Sequence, residues 1–116
     1  MDQIKTGVEV VIVRHGEDPI GVFALFATPE PGTCEVHFSF LPRAWGRKAQ
    51  RASTEFLAWV WQNTPVQRLV GPVPSYNRLC YRLAKHSGFT EFDTVANIGT
   101  RRGEPFHHIL MEIKRP

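Results

Sequence analysis

A carboxylate and an imidazole, Glu35 and His37, are separated by one residue in the first third of the chain. They belong to the run Cys34 to Phe40, in which apolar and polar residues alternate, so both side chains are expected on the polar face of one β-strand. Both residue types suit general-base chemistry, the removal of a proton from a substrate near neutral pH. The alternative is that both are ordinary polar residues on an exposed strand face.

Four cations follow this strand and surround one glycine. Arg43, Arg47, Lys48 and Arg51 flank Gly46 in the sequence FLPRAWGRKAQRA, directly before an amphipathic helical pattern. Cations are unfavourable at the start of a helix, where unpaired backbone N–H groups already carry partial positive charge. They become favourable when an anion such as a diphosphate lies between them. The cluster therefore predicts an anion site, and a solvated basic helix face is the alternative.

The wider charge distribution favours the same interpretation. Of the 116 residues, the segment from Val36 to Thr90 contains one acid, Glu55, and eight Lys and Arg residues. Residues 1–35 show the reverse, with six acids and two cations, although the net charge of the whole chain is only +3. The middle of the chain is expected to face an anion.

Length and composition restrict the class of protein. A chain of 116 residues, 42% hydrophobic, is expected to fold as a single domain over residues 1–116. It contains no apolar run of membrane-spanning length and does not begin like a signal peptide, so we predict a cytoplasmic protein without a membrane partner. The two cysteines, Cys34 and Cys80, are expected to be reduced, and no spacing of ligands predicts a metal site.

The elements that must position these residues follow from periodicity. Three β-branched or alternating runs predict an antiparallel meander ending at Phe40. After Pro42 the spacing of the apolar residues changes to that of a helix, which is expected to end near Gln62. Its inward face is predicted to consist of Ala49, Ala52, Phe56, Leu57, Val60 and Trp61. A short buried strand, Arg68 to Val73, comes next. Two strands close the chain after a second helix, so the order is β-β-β-α-β-α-β-β.

The second helix has clear signals at both ends. Asn77 is placed to cap its start, and Gly88 marks its end. Its inward face is predicted to consist of Leu79, Cys80, Leu83 and Ala84.

The run from Glu35 to Phe89 resembles the acyl-CoA-binding half of the GNAT N-acyltransferase superfamily. The family commonly has an asparagine, a small residue three positions on and a Gly-Phe pair after that; here these are Asn77, Cys80, Gly88 and Phe89. The stretch FLPRAWGRKAQRA is similar to the loop with which the family holds the cofactor pyrophosphate. Within the superfamily, the sequence most resembles the small GNAT-like proteins of phages and prophages.

This resemblance implies a GNAT-like α/β fold with a mixed, mostly antiparallel sheet and two main helices. Family members usually begin with a further strand and two helices that wall the acceptor site, and these are expected to be missing here. The missing wall leaves room for a second subunit, hence a homodimer, or for a large acceptor such as a protein.

The resemblance also implies acetyl-CoA as the cofactor and assigns residues to it. Counted from Pro42, the family's loop pattern places Lys48 at its central glycine and Gln50 at its last small position; counted from Arg43, Gly46 becomes the central glycine and Lys48 the last position. The implied cofactor-binding residues are Phe40, Leu41, Arg43, Trp45, Gly46, Arg47, Lys48, Ala49, Gln50, Arg51, Asn77, Tyr81 and Arg82.

The implied activity is direct transfer of an acetyl group to an unidentified primary amine on a protein or a small molecule. Glu35 stands where several family members carry a glutamate base, and His37 is the second candidate. The family's frequent acid, a tyrosine seven residues after the helix-start asparagine, is replaced by Ala84. Two alternatives stay open: a non-catalytic CoA-binding or interaction protein, and a nucleic-acid-binding module built on Trp45, Tyr76 and Tyr81 among the arginines.

Overall fold

A computed structural model describes residues 8–116 of the chain. Within them, six strands and two α-helices follow one another in the predicted order, with a short 3-10 helix, Pro42–Ala44, before the first α-helix. The strands are β1 (Val8–His15), β2 (Asp18–Ala27), β3 (Thr33–Phe40), β4 (Arg68–Pro74), β5 (Thr90–Arg101) and β6 (Glu104–Lys114). The helices are α1 (Arg47–Asn63) and α2 (Arg78–His86).

The strands form one mixed sheet in the order β1-β2-β3-β4-β6-β5. Neighbouring strands are antiparallel except β3 and β4, which run parallel. The parallel pair is in register at Thr33 with Arg68, Cys34 with Leu69 and Glu35 with Val70. In the described chain the two strands do not pair beyond these positions, although β3 continues to Phe40 and β4 to Pro74. They therefore diverge, and a gap opens in the middle of the sheet.

Both helices pack on the same face of the sheet. Most of the predicted inward face of α1 is buried, namely Ala49, Ala52, Phe56, Leu57 and Val60, whereas Trp61 is half-buried. The Phe56 ring stacks on Phe23 of β2 with centroids 4.1 Å apart. Ser53 of α1 and Ser87, which follows α2, share a hydrogen bond of 2.6 Å. The apolar side chains of β1 to β4 and Met111 of β6 fill the space below the helices. The core therefore lies on one side of the sheet, between it and the two helices.

The start of α2 forms as the sequence predicts, but its inward face is narrower. The Asn77 side chain accepts a hydrogen bond of 3.1 Å from the backbone N–H of Cys80, and Gly88 after the helix has a φ of 103°. The expectation that Leu79 faces inward is wrong, because its side chain is 51% exposed. Leu79 lies in the first turn, before the helix reaches the core; only residues from Cys80 onward contact it.

An arginine near the carboxyl end ties α1 to the end of the sheet. The Arg115 guanidinium donates hydrogen bonds to the backbone oxygens of Trp61 at 2.7 Å, Thr64 at 2.7 Å and Val66 at 3.0 Å. It also lies over the Trp61 ring, 5.2 Å from the centroid. Carbonyls at the end of a helix have no partner inside it, so Arg115 supplies one for α1.

The opposite face of the sheet carries the polar residues of β3 and an ion-pair network. Arg68 of β4 donates to Glu112 of β6 at 3.0 Å and to Glu30 at 3.2 Å. This contact holds the pKa of the Glu112 carboxyl below its ordinary value. No helix of residues 8–116 covers this face.

Candidate active site

A cavity of about 270 Å³ occupies the gap between β3 and β4. Its walls come from both diverging strands, from α1 and from α2, and most of the side chains in them are apolar. The cavity exists because β3 and β4 lose their pairing after Glu35 and Val70. Gly71, the next residue of β4, preserves this narrow space, because a β-carbon there would lie 3.2 Å from the carbonyl oxygen of Val36.

The β3 side of the gap carries the two predicted bases, Glu35 and His37. His37 lines the cavity, and its Nε2 lies 3.5 Å from Oε1 of Glu35. The ring of Phe26 meets the His37 ring edge-on, with centroids 5.1 Å apart. Both polar side chains remain partly exposed, with 50% for His37 and 41% for Glu35. The structure thus brings the two candidates together as a pair, with the imidazole at the cavity.

The other side of the gap carries a histidine that was not predicted as a site residue. His108 of β6 pairs with Pro74 of β4 and also lines the cavity. The alternating residues Ile109 and Met111 belong to the core side, so the His108 side chain lies on the face of the sheet that also carries Glu35 and His37. No sequence spacing could reveal this, because it depends on β6 pairing with β4.

The start of α2 forms the end wall of the cavity. Asn77, Cys80 and Ala84 all line it. Burial raises the pKa of the Cys80 thiol to about 11, so it is a neutral thiol near physiological pH. Ala84 is buried and presents only a methyl group where the family's tyrosine would stand.

The loop between β3 and α1 leaves the first backbone N–H groups of the helix without a partner in the described part of the chain. Gly46 is the N-cap of α1 with a φ of 96° and forms no side-chain cap. Its carbonyl accepts from the Gln50 N–H at 3.0 Å, which starts the helix. Among residues 8–116, nothing lies within 4 Å of the position that a β-carbon at Gly46 would take, so space remains in front of the first turn. Unpaired N–H groups beside open space fit a diphosphate.

The four predicted cations divide into two groups. Arg43 forms a two-pronged ion pair with Asp18, at 2.9 and 2.8 Å, and this bond holds the pKa of the Asp18 carboxyl below its ordinary value. Arg47, Lys48 and Arg51 instead line a second cavity, of about 270 Å³, beside the end of β1. These three are therefore the cations placed beside the helix start.

The remaining predicted cofactor residues differ in burial and in their contacts. Phe40 and Ala49 are buried, and the Phe40 and Trp45 rings meet with centroids 5.5 Å apart, so they support the loop from below. Tyr81 does not line the cavity. Its hydroxyl donates a hydrogen bond to the carboxylate of Glu91 of β5, and this bond raises the pKa of the tyrosine. The other three are Leu41 and Arg82, both exposed, and half-buried Gln50.

The sequence matches the acetyltransferase (GNAT) domain over residues 1–90. The chain belongs to the GNAT acetyltransferase family. The family and the fold class that the resemblance implied are thereby confirmed, and acetyl transfer is the activity for which the family is named. Comparison with curated proteins gives no match.

Solved structures of GNAT proteins share the fold at low identity. The spermidine N-acetyltransferase of Vibrio cholerae, solved with CoA and spermine, has a TM-score of 0.81 and 15% identity, over 94% of this chain and 66% of that one. The ribosomal-protein-alanine N-acetyltransferase of Brucella melitensis has a TM-score of 0.76 and 16% identity, over 94% and 70%. A GNAT acetyltransferase of Streptococcus pneumoniae has a TM-score of 0.79 and 15% identity, over 94% and 68%.

Neither helix within residues 8–116 has the length and hydrophobicity needed to cross a bilayer.

Proposed function

We propose that this GNAT family member binds acetyl-CoA in the gap between β3 and β4 and transfers the acetyl group directly to a primary amine. The observation that supports this most strongly is the gap itself, whose cavity of about 270 Å³ is lined by His37 on the β3 side and by Asn77 at the start of α2. An apolar channel with a few polar groups at one end suits a thioester arm.

The residues around the gap fit acetyl-CoA in two ways. The free N–H groups at the start of α1, next to Arg47, Lys48 and Arg51, suit the pyrophosphate. The unpaired edges of β3 after Glu35 and of β4 after Val70 offer backbone donors and acceptors to the pantetheine amides. When bound, acetyl-CoA supplies the acyl thioester that an amine attacks.

His37 is the proposed general base, and Glu35 positions it. Of the two, only His37 lines the cavity, and Glu35 lies 3.5 Å from its Nε2. A carboxylate in this position fixes the tautomer and orientation of an imidazole. His37 thereby accepts the proton that the amine loses.

A proton donor for the departing thiolate is proposed on the opposite side of the gap. Ala84 has no ionisable group, and the Tyr81 hydroxyl is bonded to Glu91. His108 faces the gap from β6, on the same side of the sheet as His37. Two imidazoles on opposite sides of the gap allow one to accept a proton while the other donates one.

A non-catalytic CoA-binding protein is the second candidate, and the alanine at position 84 favours it. Transfer assays separate the two, because a binder that lacks transfer releases no free thiol from acetyl-CoA when amines are added. Solved relatives whose names specify spermidine or a ribosomal protein's alanine identify classes of amine to test first. A cytoplasmic location, a homodimer and a phage origin remain predictions.

The experiment is a thiol-release assay with purified protein, acetyl-CoA and a panel of amines, followed by mass spectrometry of the product. Amine-dependent thiol release together with an acetylated amine is the expected result. Saturable binding of acetyl-CoA without thiol release for any amine would refute transfer and leave the binding role.

A further inference from the structure

A pocket at the tip of the β5–β6 hairpin lies outside the gap but on the same side of the sheet. It encloses about 340 Å³ and is lined by Tyr76, Phe106, Arg101, Arg102 and Glu104. Phe106 and His108 are two residues apart on β6, so their side chains project from the same face of the strand. The pocket and the proposed proton donor therefore share one surface.

A series of ring contacts connects this pocket to the gap. The rings of His108 and Phe106 have centroids 6.0 Å apart, and Phe106 meets Tyr76 edge-on at 5.1 Å. The Arg101 guanidinium lies over the Tyr76 ring, 4.1 Å from the centroid. Ser75 accepts a hydrogen bond of 3.2 Å from the N–H of His107, which fixes the end of β4 to β6. A ligand can therefore extend from the gap along an aromatic surface to a cation.

The charges in the pocket favour an anion. Arg101 and Arg102 form no ion pair within residues 8–116, and Glu104 is the one carboxylate beside them in the pocket. A guanidinium held over an aromatic ring and not engaged in an ion pair keeps N–H groups available for a carboxylate or phosphate. The pocket thus has an excess of positive charge and an aromatic floor.

The backbone conformation at Arg102 is one that arginine rarely adopts. Arg101 pairs with Glu104, so Arg102 and Gly103 form a two-residue turn, with φ values of 53° and 78°. Such a turn favours Asn, Asp or Gly at its first central position. A long side chain with positive φ is uncommon and points to a role beyond folding.

We propose that the amine acceptor carries an anionic group, a carboxylate or a phosphate, that binds Arg101 and Arg102 while its amine lies at the gap beside His37 and His108. This inference rests on the proposed function, since it names the chemical class of the acceptor for the same reaction. The aromatic floor of Tyr76 and Phe106 accommodates the apolar segment between the two ends.

The test compares amines that differ in the group at the far end. Acetyl transfer and equilibrium binding in the presence of CoA are measured for ε-aminocaproate, γ-aminobutyrate and O-phosphoethanolamine, against n-butylamine and putrescine. At least one anionic amine is expected to have a kcat/KM about tenfold or more above that of n-butylamine. The two carboxylates and the phosphate distinguish the sources of the anion.

Variants then assign the preference to the hairpin. Arg102→Gly suits the turn, and Arg101→Met keeps the contact with Tyr76 but removes the charge. Each is expected to raise KM for the preferred anionic amine about tenfold or more and to leave KM for n-butylamine and acetyl-CoA unchanged. Lys114→Ala, which removes an exposed cation at the other end of β6, is the control and is expected to change neither.

Two results overturn the inference while leaving the proposed function intact. One is equal kcat/KM for amines whose far end is uncharged, cationic or anionic, and the other is a preference for the anionic amines that survives in both arginine variants. Absence of saturable binding for every anionic amine overturns it as well, whatever the transfer assay shows. Absence of thiol release with any amine refutes the proposed function separately.

Discussion

Replacing His37 with glutamine is expected to remove the general base while preserving the fold and the cofactor site. The His37 side chain is half exposed and lies on the helix-free face of the sheet, so glutamine fits without disturbing the core. Acetyl-CoA binding should not change, because its proposed contacts lie on the two strand edges and at the start of α1. The loss should therefore fall on kcat and not on the KM for acetyl-CoA.

The structure predicts different losses of rate for the His37 and Glu35 variants. Removal of a general base costs about 100- to 10,000-fold in rate. The contact between His37 and Glu35, in contrast, joins side chains that are 50% and 41% exposed at a distance of 3.5 Å. A partly exposed ion pair contributes about 0.2 to 1 kcal/mol, which corresponds to at most about fivefold in rate. His37→Gln should therefore reduce kcat about 100-fold or more, and Glu35→Gln about fivefold or less.

The assay is steady-state thiol release across about pH 5 to 8, the range in which an imidazole changes charge. His86→Gln serves as the control, since His86 is exposed at the end of α2 and does not line the cavity. Its kcat should match that of the unmodified protein. If Glu35→Gln reduces kcat more than His37→Gln does, the roles are reversed and the geometric assignment is refuted.

Two further predictions concern stability. Arg115→Ala removes three hydrogen bonds to backbone oxygens and should lower the free energy of unfolding in urea by about 2 to 4 kcal/mol, with Arg115→Lys recovering part of it; a loss below about 0.5 kcal/mol would show that the α1 end does not depend on this residue. Because Arg68 lowers the pKa of Glu112 in the fold, that pair stabilises the protein above the ordinary carboxyl pKa of 4.5, and this contribution is lost as pH falls through the lowered value. Acid unfolding should therefore become less steep in Glu112→Gln, and an identical pH dependence would contradict the pairing.

The order of elements could be predicted from the sequence because each element has a strong local signal. Alternation in Cys34 to Phe40, the three-four spacing after Pro42 and the Asn77 and Gly88 signals all depend on neighbours within a few residues. The error at Leu79 has the same origin. Periodicity assigns a helical face, but only the packing of α2 over the sheet determines which turns of that face reach the core.

Features that join distant parts of the chain were not predictable in this way. The bond between Arg43 and Asp18 takes one of the four cations away from the helix start, and sequence spacing contains no sign of it. The position of His108 at the gap depends on β6 lying beside β4, and the hairpin pocket depends on Tyr76 meeting Phe106. The gap between β3 and β4 likewise depends on where two strands that are distant in sequence stop pairing.

The central claim is that the gap and the start of α1 together bind acetyl-CoA. The most direct measurement is calorimetric titration with acetyl-CoA of the unmodified protein and of a variant with both Arg47→Ala and Lys48→Ala, beside a polyanion of matched charge. Saturable binding with one site per chain is expected, with affinity about tenfold or more lower in the variant. Absence of saturable binding, or equal binding of the polyanion, would contradict the claim.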